Sequence, residues 1–399
     1  MKRVVVIGGG YGGLRCIEGL AKSQDFEVVL VDLNPYHYLQ TEAYAYIAGK
    51  SDVYDIAIDL ESWCEGFERV TFVQMEVTKI DFKAQSIASE HKSISYDYLV
   101  VAVGARTNFF SFIDGLRKYS HGVKFLSKAY DFRKDFEAVL YEKLNASSSV
   151  TGQSINIAIG GAGLSGVEIA AEMAHTLNEY EKTIGKRAQE VNVYLIDASE
   201  TILPGNSKYV IENTQKRLKK IGVKILTNAF ISEVKEHTIC FKDGSELEYH
   251  FMVFTGGIKA APLTETIDAP KNRIGQLIVS EELQIAEYTN AFAIGDCIEI
   301  KDKNEKLLPP TAQMAERSAE YVSAHIKAQE RGETPKAFDA AVMGLFVALG
   351  GSYAVGEMFG FIKVSGYKAY LLKKAITYAY YFGLKLRINT GYKNRKNIL

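Results

Sequence analysis

The sequence predicts an α/β protein that carries one βαβ unit twice and adds a basic region after it. Three observations predict this. A turn of the form G-x-G-x-x-G follows a short apolar run at Gly8 and again at Gly161, 153 residues later. Each turn leads into a helical stretch and then a second apolar run that ends in an acid, Asp32 or Asp197. The charge is also split. The 399 residues carry a net −1, yet no Asp or Glu follows Glu357, and the last 42 residues hold nine Lys and Arg. Taking that +9 from −1 leaves −10 on residues 1–357.

The elements follow in order. Arg3–Ile7 reads as a buried strand, the stretch to about Ala21 as a helix, and Phe26–Asp32 as a second strand. Ser147–Gly152 is small and polar, the best linker candidate. The opening then repeats: strand Ile155–Ile159, a helix from about Val167, and strand Val191–Asp197. Gly166 and Asp197 lie 31 residues apart, so Asn178–Glu190 extends or interrupts the second helix. Ala291-Phe292-Ala293-Ile294-Gly295-Asp296 is a short buried strand ending at Gly-Asp. The chain is helical from Ser318, then apolar and glycine-rich to about Lys363, then helical and basic. The expected organisation is a first domain in two parts, 1–145 and 266–330, enclosing a second at 150–265, with residues 331–399 as a C-terminal region.

Composition excludes several classes. With 47% hydrophobic and 24% charged residues the chain is globular and long enough for two or three cores. The balanced total would ordinarily argue against nucleic acid or an anionic surface as a partner, but it averages a basic tail on an acidic body. Cys16, Cys64, Cys240 and Cys297 are scattered, with no CxxC or metal spacing, so neither a disulfide scaffold nor a metal site is expected. Met1-Lys2-Arg3 precedes only four apolar residues, too few for a signal peptide. Ala340–Gly356 is uncharged but holds four glycines, and it reads as buried strands.

The glycine turns carry the chemistry. In such a turn the first glycine permits the tight bend, the second lets backbone approach a pyrophosphate, and the third lets helix pack on strand. The helix N-terminus then offers free N–H groups to the phosphates. Gly8, Gly10, Gly12 and Gly13 with Asp32 make the first site. Gly161, Gly163, Ser165 and Gly166 with Asp197 make the second. An acid at Asp197 favours the free 2′-hydroxyl of NAD over the 2′-phosphate of NADP. Glu168 and Glu172 lie one turn apart inside the second helix, either on a solvated face or near a nicotinamide. Two dinucleotides in one chain suggest electron transfer between them.

The order of motifs resembles the two-dinucleotide-binding flavoproteins. The resemblance rests on both turns with their acids, on Tyr96–Ala105, on Phe254-Thr255-Gly256-Gly257, and on Ala293-Ile294-Gly295-Asp296. It implies FAD in the first unit, with Asp296 on the ribityl chain and pyrophosphate region, and NADH in the second, with Gly256 and Gly257 leaving room for the nicotinamide. Thr41, Val77, Ala102, Gly104, Gly295 and Ala312 are the further cofactor contacts it implies. Within that group the chain resembles type II NADH dehydrogenases. His37-Tyr38-Leu39-Gln40-Thr41-Glu42, Pro309–Ala315 and Gly366–Lys373 carry this resemblance. It implies quinone as acceptor, Gln313 against a quinone carbonyl or the flavin edge, and Glu42, Lys373 and His37 as proton donors or relays. Arg317 stands where the A-Q-x-A-x-Q motif of those enzymes has its second Gln. An NADH-dependent reductase of a soluble ferredoxin or rubredoxin, and a flavin redox sensor, are the alternatives. Cys16 has no neighbouring partner, unlike disulfide reductases of this fold, and Cys297 is expected to pack.

The tail is read as a helix over Gly366–Lys385. Projected at about 100° per residue, Leu371, Phe382, Ala375, Ala379, Leu372, Ile376 and Ala369 share one arc. Lys373, Lys374, Lys385, Thr377, Tyr367, Tyr370, Tyr378 and Tyr381 share the other, and Lys368 is the exception. The expectation is a helix in the membrane interface at the cytoplasmic face. Its tyrosines would lie at headgroup level, and its lysines would face anionic lipid at roughly 1 kcal/mol each. The alternatives are an apolar arc packed on the core with a solvated basic face, or a homodimer contact. No chain of intramembrane acids points to proton pumping.

Overall fold

The computed structural model describes residues 1–145, 154–184 and 191–389. The linker candidate Ser147–Gly152 lies outside these residues, as do Lys393, Arg395 and Lys396.

Two parallel sheets share one strand order. In the first, β1 (Lys2–Ile7) pairs with β2 (Phe26–Asp32), β2 with β3 (Val70–Gln74), and β1 on its other side with β4 (Tyr98–Val101). Tyr288–Ala293 and Gln284–Ile285 extend this sheet beyond β4. Val4, Val5 and Val6 are fully buried, because a strand inside a parallel sheet is covered on both faces. The second sheet repeats the arrangement with β5 (Ile155–Gly160), β6 (Val191–Ile196), β7 (Lys224–Leu226) and β8 (Phe251–Phe254) in the order β7-β6-β5-β8. In both sheets the chain turns from strand to helix where the strand order reverses, the place where open α/β sheets bind ligands. The helices there are α1 (Tyr11–Leu20) and α2 (Leu164–Ile184). The expected extension of the second helix is present as far as Ile184, and the rest of Asn178–Glu190 lies outside the described residues.

After α3 (Ala312–Glu330), an irregular segment leads to an antiparallel sheet of β9 (Gly344–Ala348), β10 (Ala354–Met358) and β11 (Ile362–Gly366). This is the apolar glycine-rich run. Its first turn is lodged on the second unit. Arg217 donates to the carbonyls of Leu349 and Gly350, each at 3.0 Å, with its guanidinium over the Tyr353 ring. Glu172 is 1% exposed and accepts from Lys50 Nζ at 2.8 Å and the Gly351 N–H at 3.2 Å. The solvated-face reading of Glu168 and Glu172 is therefore overturned, since both are buried.

The chain then forms α4 (Tyr367–Asn389), and its orientation corrects the expectation from the helical projection. Much of the arc of lysines and tyrosines packs inward. Lys373 pairs with Glu168 at 2.9 Å and Lys374 with Glu42 at 2.8 Å. Tyr381 donates to the carbonyl of Tyr54 at 2.9 Å. The apolar arc faces outward: Leu371, Leu372, Phe382 and Leu386 are exposed, and Ile376 is 60% exposed. Lys373 and Lys374 thus face carboxylates and not lipid. Only Ala369 of the projected apolar arc is buried. Among the described residues no helix is long and apolar enough to cross a membrane.

Glu172 joins the C-terminal sheet to the second unit. Replacing it with Leu leaves the Gly351 N–H without its acceptor and Lys50 without its counter-ion. Glu172→Leu is expected to lose about 2–3 kcal/mol of unfolding free energy, read by urea denaturation. A loss below about 0.5 kcal/mol would contradict this role.

Candidate functional site

The duplication holds down to individual hydrogen bonds. In the first turn the Gly9 and Asn34 N–H groups donate to Asp32 at 2.6 and 2.7 Å. In the second, the Ala162 and Ser199 N–H groups donate to Asp197 at 2.6 and 2.7 Å. Each acid therefore clasps its turn to the end of the neighbouring strand. Burial pushes the Asp32 carboxyl up, and the N–H groups of Gly9 and Asn34 pull it back. Gly8 and Gly161 hold φ of +109° and +101°, which L side chains rarely adopt. A Cβ at Gly13 would run into the Gly8 carbonyl, and one at Gly166 into that of Gly161. Gly12 packs close to the Ala315 carbonyl of α3. A Cβ at Gly10 or Gly163 would meet no atom within 4 Å. Those two middle positions open onto space beside a helix N-terminus, and this is the form a pyrophosphate cradle requires.

On the first unit, Ala102 and Gly104 follow β4. The Ala102 N–H donates to the Ile7 carbonyl at 2.7 Å, and its own carbonyl lies where a Gly8 side chain would stand. Val77 follows β3, half-buried against the core. Thr41 shares a 2.8 Å hydrogen bond with the Tyr11 hydroxyl. Gly295 takes a left-handed φ of +73° and packs against Ala315 of α3, while Ala312 and Gln313 occupy the first turn of that helix. Asp296 pairs with Lys124 at 3.2 Å. Lys124 escaped the sequence reading because no motif surrounds it. Gln40 donates to the Lys124 carbonyl at 3.2 Å, so the segment beside the first turn positions it. Cys297 is buried and packs, as expected, and burial pushes its thiol up to about 12.

On the second unit, Ser165 is exposed at the start of α2. Gly256 has a more immediate role than making room for a ring. Its backbone abuts Gly161, and the Phe254 ring fills the space beside it. Gly257 lies against Phe110, and its carbonyl accepts from the Asn108 N–H at 3.0 Å.

Between the units, α4 supplies one predicted proton-handling residue, Lys373, and contacts the other two, Glu42 and His37. Glu42, nearly buried, accepts from Lys374 and from the Thr377 hydroxyl at 3.1 Å. Glu168 accepts from Lys373 and from the Ala348 N–H at 2.8 Å. Burial holds the Glu168 carboxyl above the usual range, with Lys373 acting against it. His37 is buried, and burial pushes it down to about 4, so it is neutral at pH 7. Its Nδ1 lies 3.0 Å from the Gly9 carbonyl and its Nε2 3.1 Å from the Tyr380 hydroxyl. Tyr380 in turn stacks on Tyr11, with ring centroids 5.0 Å apart. A tyrosine of α4 therefore touches the first glycine turn. The projection had assigned Lys374 and Thr377 to a face without showing that Glu42 waits there. Gln313 has its Oε1 engaged by the Met343 N–H at 3.0 Å.

Comparison with known proteins agrees with this geometry. The family model described as pyridine nucleotide-disulphide oxidoreductase matches residues 2–319. A type II NADH:quinone oxidoreductase of Staphylococcus aureus is 29% identical over 382 residues, covering 94% of each chain. Among solved structures, NDH2 from Plasmodium falciparum in complex with NADH superposes with a TM-score of 0.86 at 19% identity, covering 99% of this chain and 98% of that one. The sulfide:quinone oxidoreductase of Aquifex aeolicus has a TM-score of 0.81 at 19% identity, covering 100% of this chain and 95% of that one. At such identities the two structures speak for the fold.

Because a Cβ at either middle glycine meets only open space, Gly10→Ala and Gly163→Ala are expected to fold normally. Gly10→Ala should lower flavin occupancy, and Gly163→Ala should weaken NADH binding, each by about tenfold or more. Flavin-to-protein absorbance ratios and NADH titration read the two effects. Unchanged occupancy and affinity would contradict the cradle assignment.

Proposed function

The chain belongs to the pyridine nucleotide-disulphide oxidoreductase family, and within it we propose that the protein is an NADH:quinone oxidoreductase working at a lipid surface. One observation carries the reading: beside two nucleotide turns, α4 presents an apolar face to the outside while Lys373 and Lys374 are drawn inward. A quinone with an isoprenoid tail resides in the bilayer, and the enzyme that reduces it must meet that surface. The relative from S. aureus, matched over nearly its whole length, bears the name of this reaction.

When bound, FAD supplies a two-electron relay between NADH and the quinone. The first turn, with Asp32, Thr41, Val77, Ala102, Gly104, Gly295, Asp296 and Ala312, would hold it. The second turn, with Ser165 and Asp197, would hold NADH. A carboxylate at Asp197 repels the 2′-phosphate of NADPH. Positioning governs hydride transfer, which needs no side-chain acid. Quinone reduction takes up two protons. Lys373 and Lys374 hold exchangeable protons at Nζ, each against a carboxylate of the body. The Nε2 of Gln313 remains as a donor toward a carbonyl.

The cysteines support this choice within the family. None of the four is in a disulfide, and burial pushes the Cys16 and Cys297 thiols up to about 12, far from the thiolate that disulfide or sulfide chemistry needs. A reductase of a soluble acceptor would have no use for the outward face of α4. The strand connection β10–β11 adds two more exposed rings, Phe359 and Phe361, the latter 72% exposed. A row of exposed apolar side chains along one helix face marks a membrane or partner contact. The membrane contact is made by apolar insertion more than by lysine–headgroup attraction.

The double variant Leu372→Glu/Phe382→Glu tests the contact. It is expected to bind FAD and NADH like the wild type and to leave phosphatidylcholine–phosphatidylglycerol vesicles in co-sedimentation. It should also lose most turnover with a long-chain quinone in vesicles while keeping turnover with a short-chain quinone in solution. A variant that still pellets with vesicles would contradict the assignment.

A further inference from the structure

Arg317 stands where the resemblance has a glutamine, and the structure gives it a partner. Gln313, Arg317 and Tyr321 lie at i, i+4 and i+8 on α3, so they share one helix face. Each bonds to the backbone of the irregular segment 333–343 that leaves the helix and runs back along it. The Tyr321 hydroxyl donates to the Lys336 carbonyl at 2.6 Å. Arg317 Nη2 donates to the Asp339 carbonyl at 3.4 Å. The Met343 N–H donates to Gln313 Oε1 at 3.0 Å. The order is antiparallel, with one contact per helical turn. Phe338 lies against the Tyr321 ring, its N–H bonds to the Glu281 carbonyl at 2.8 Å, and Ala340 is buried. Beyond Met343 the chain enters β9, whose Ala348 N–H holds Glu168.

This arrangement decides which way the Gln313 amide points. A free glutamine amide turns over at little cost. Here the Met343 N–H faces its oxygen, and a turned amide would set two donors against each other. The NH2 is therefore directed away from the segment. Where the Met343 N–H lies depends on the register of the segment, and Arg317 and Tyr321 pin that register four and seven residues before it. A long side chain at 317 reaches the Asp339 carbonyl, and an alanine leaves that carbonyl to water.

We propose that Gln313, Arg317 and Tyr321 form a clasp on segment 333–343, and that Arg317 is a positioning residue for acceptor reduction, fixing the segment so that Gln313 presents its NH2 to the quinone carbonyl. The role in acceptor reduction rests on the quinone reading above. The clasp itself rests on the three hydrogen bonds.

The experiment compares FAD-loaded wild type, Arg317→Ala, Arg317→Lys, Gln313→Ala and the Gln313→Ala/Arg317→Ala double variant. Arg317→Ala is expected to raise KM for a short-chain quinone about three- to tenfold while leaving ferricyanide reduction unchanged, because ferricyanide needs no amide donor. Arg317→Lys, which retains a donor, should return KM to within about twofold. In the Gln313→Ala background the arginine substitution should add nothing, because it acts through that amide. Hydrogen exchange over residues 336–345 should be faster in Arg317→Ala. Unchanged exchange overturns the clasp, whatever the acceptor. Faster exchange with an unchanged quinone KM, or independent effects in the double variant, overturns the positioning role. A wild type that reduces ferricyanide but no quinone overturns the function reading and, with it, the role in acceptor reduction, while exchange still decides the clasp.

Discussion

Three carboxylates of the nucleotide-binding body, Glu42, Glu168 and Glu172, are buried, and a carboxylate taken out of water must be paired or it loses its charge. The rest of the C-terminal architecture follows from that constraint. Lys374 answers Glu42, Lys373 answers Glu168, and Lys50 with the Gly351 N–H answers Glu172. Two of the cations come from α4, so the polar face of that helix turns inward. A helix with one polar and one apolar face then has its apolar face outside. An apolar surface directed at water is costly, and a lipid surface removes that cost. The charge split of the chain, −10 on the body and +9 on the tail, is in part the two sides of these pairs.

The two glycine turns are a separate layer of order. Strand order, acid clasp, left-handed first glycine, crowded last glycine and open middle glycine all recur between the two units. What differs is the far side of each turn. At the first, Tyr380 and His37 bring α4 against residues 9–11. The same helix reaches the second unit farther from its turn, through the Lys373–Glu168 pair.

Much of this was legible in the sequence because it is local. A glycine turn between an apolar run and a helix, with an acid closing the next run, is contained in about 25 to 40 residues, and the strands were placed to within a few residues. The tail was legible as an amphipathic helix but not as an oriented one. A helical projection separates two arcs and is silent on which faces the body. That choice depends on Glu42 and Glu168, far away in sequence, and the reading that sent the lysines to lipid failed there. Lys124 was missed for the same reason: its partner Asp296 is 172 residues away. Gln313 was singled out through its motif, but its hydrogen-bond partner, the Met343 N–H, belongs to a segment with no sequence signature.

In the proposed reaction, electrons enter from NADH at the second turn and leave to a quinone beside α4. Anaerobic stopped-flow absorbance of the FAD-loaded protein tests it most directly. NADH is expected to bleach the flavin band near-stoichiometrically, NADPH to do so far more slowly, and added quinone to restore the band. A flavin band that NADH leaves unchanged, or that quinone fails to restore after bleaching, would contradict it.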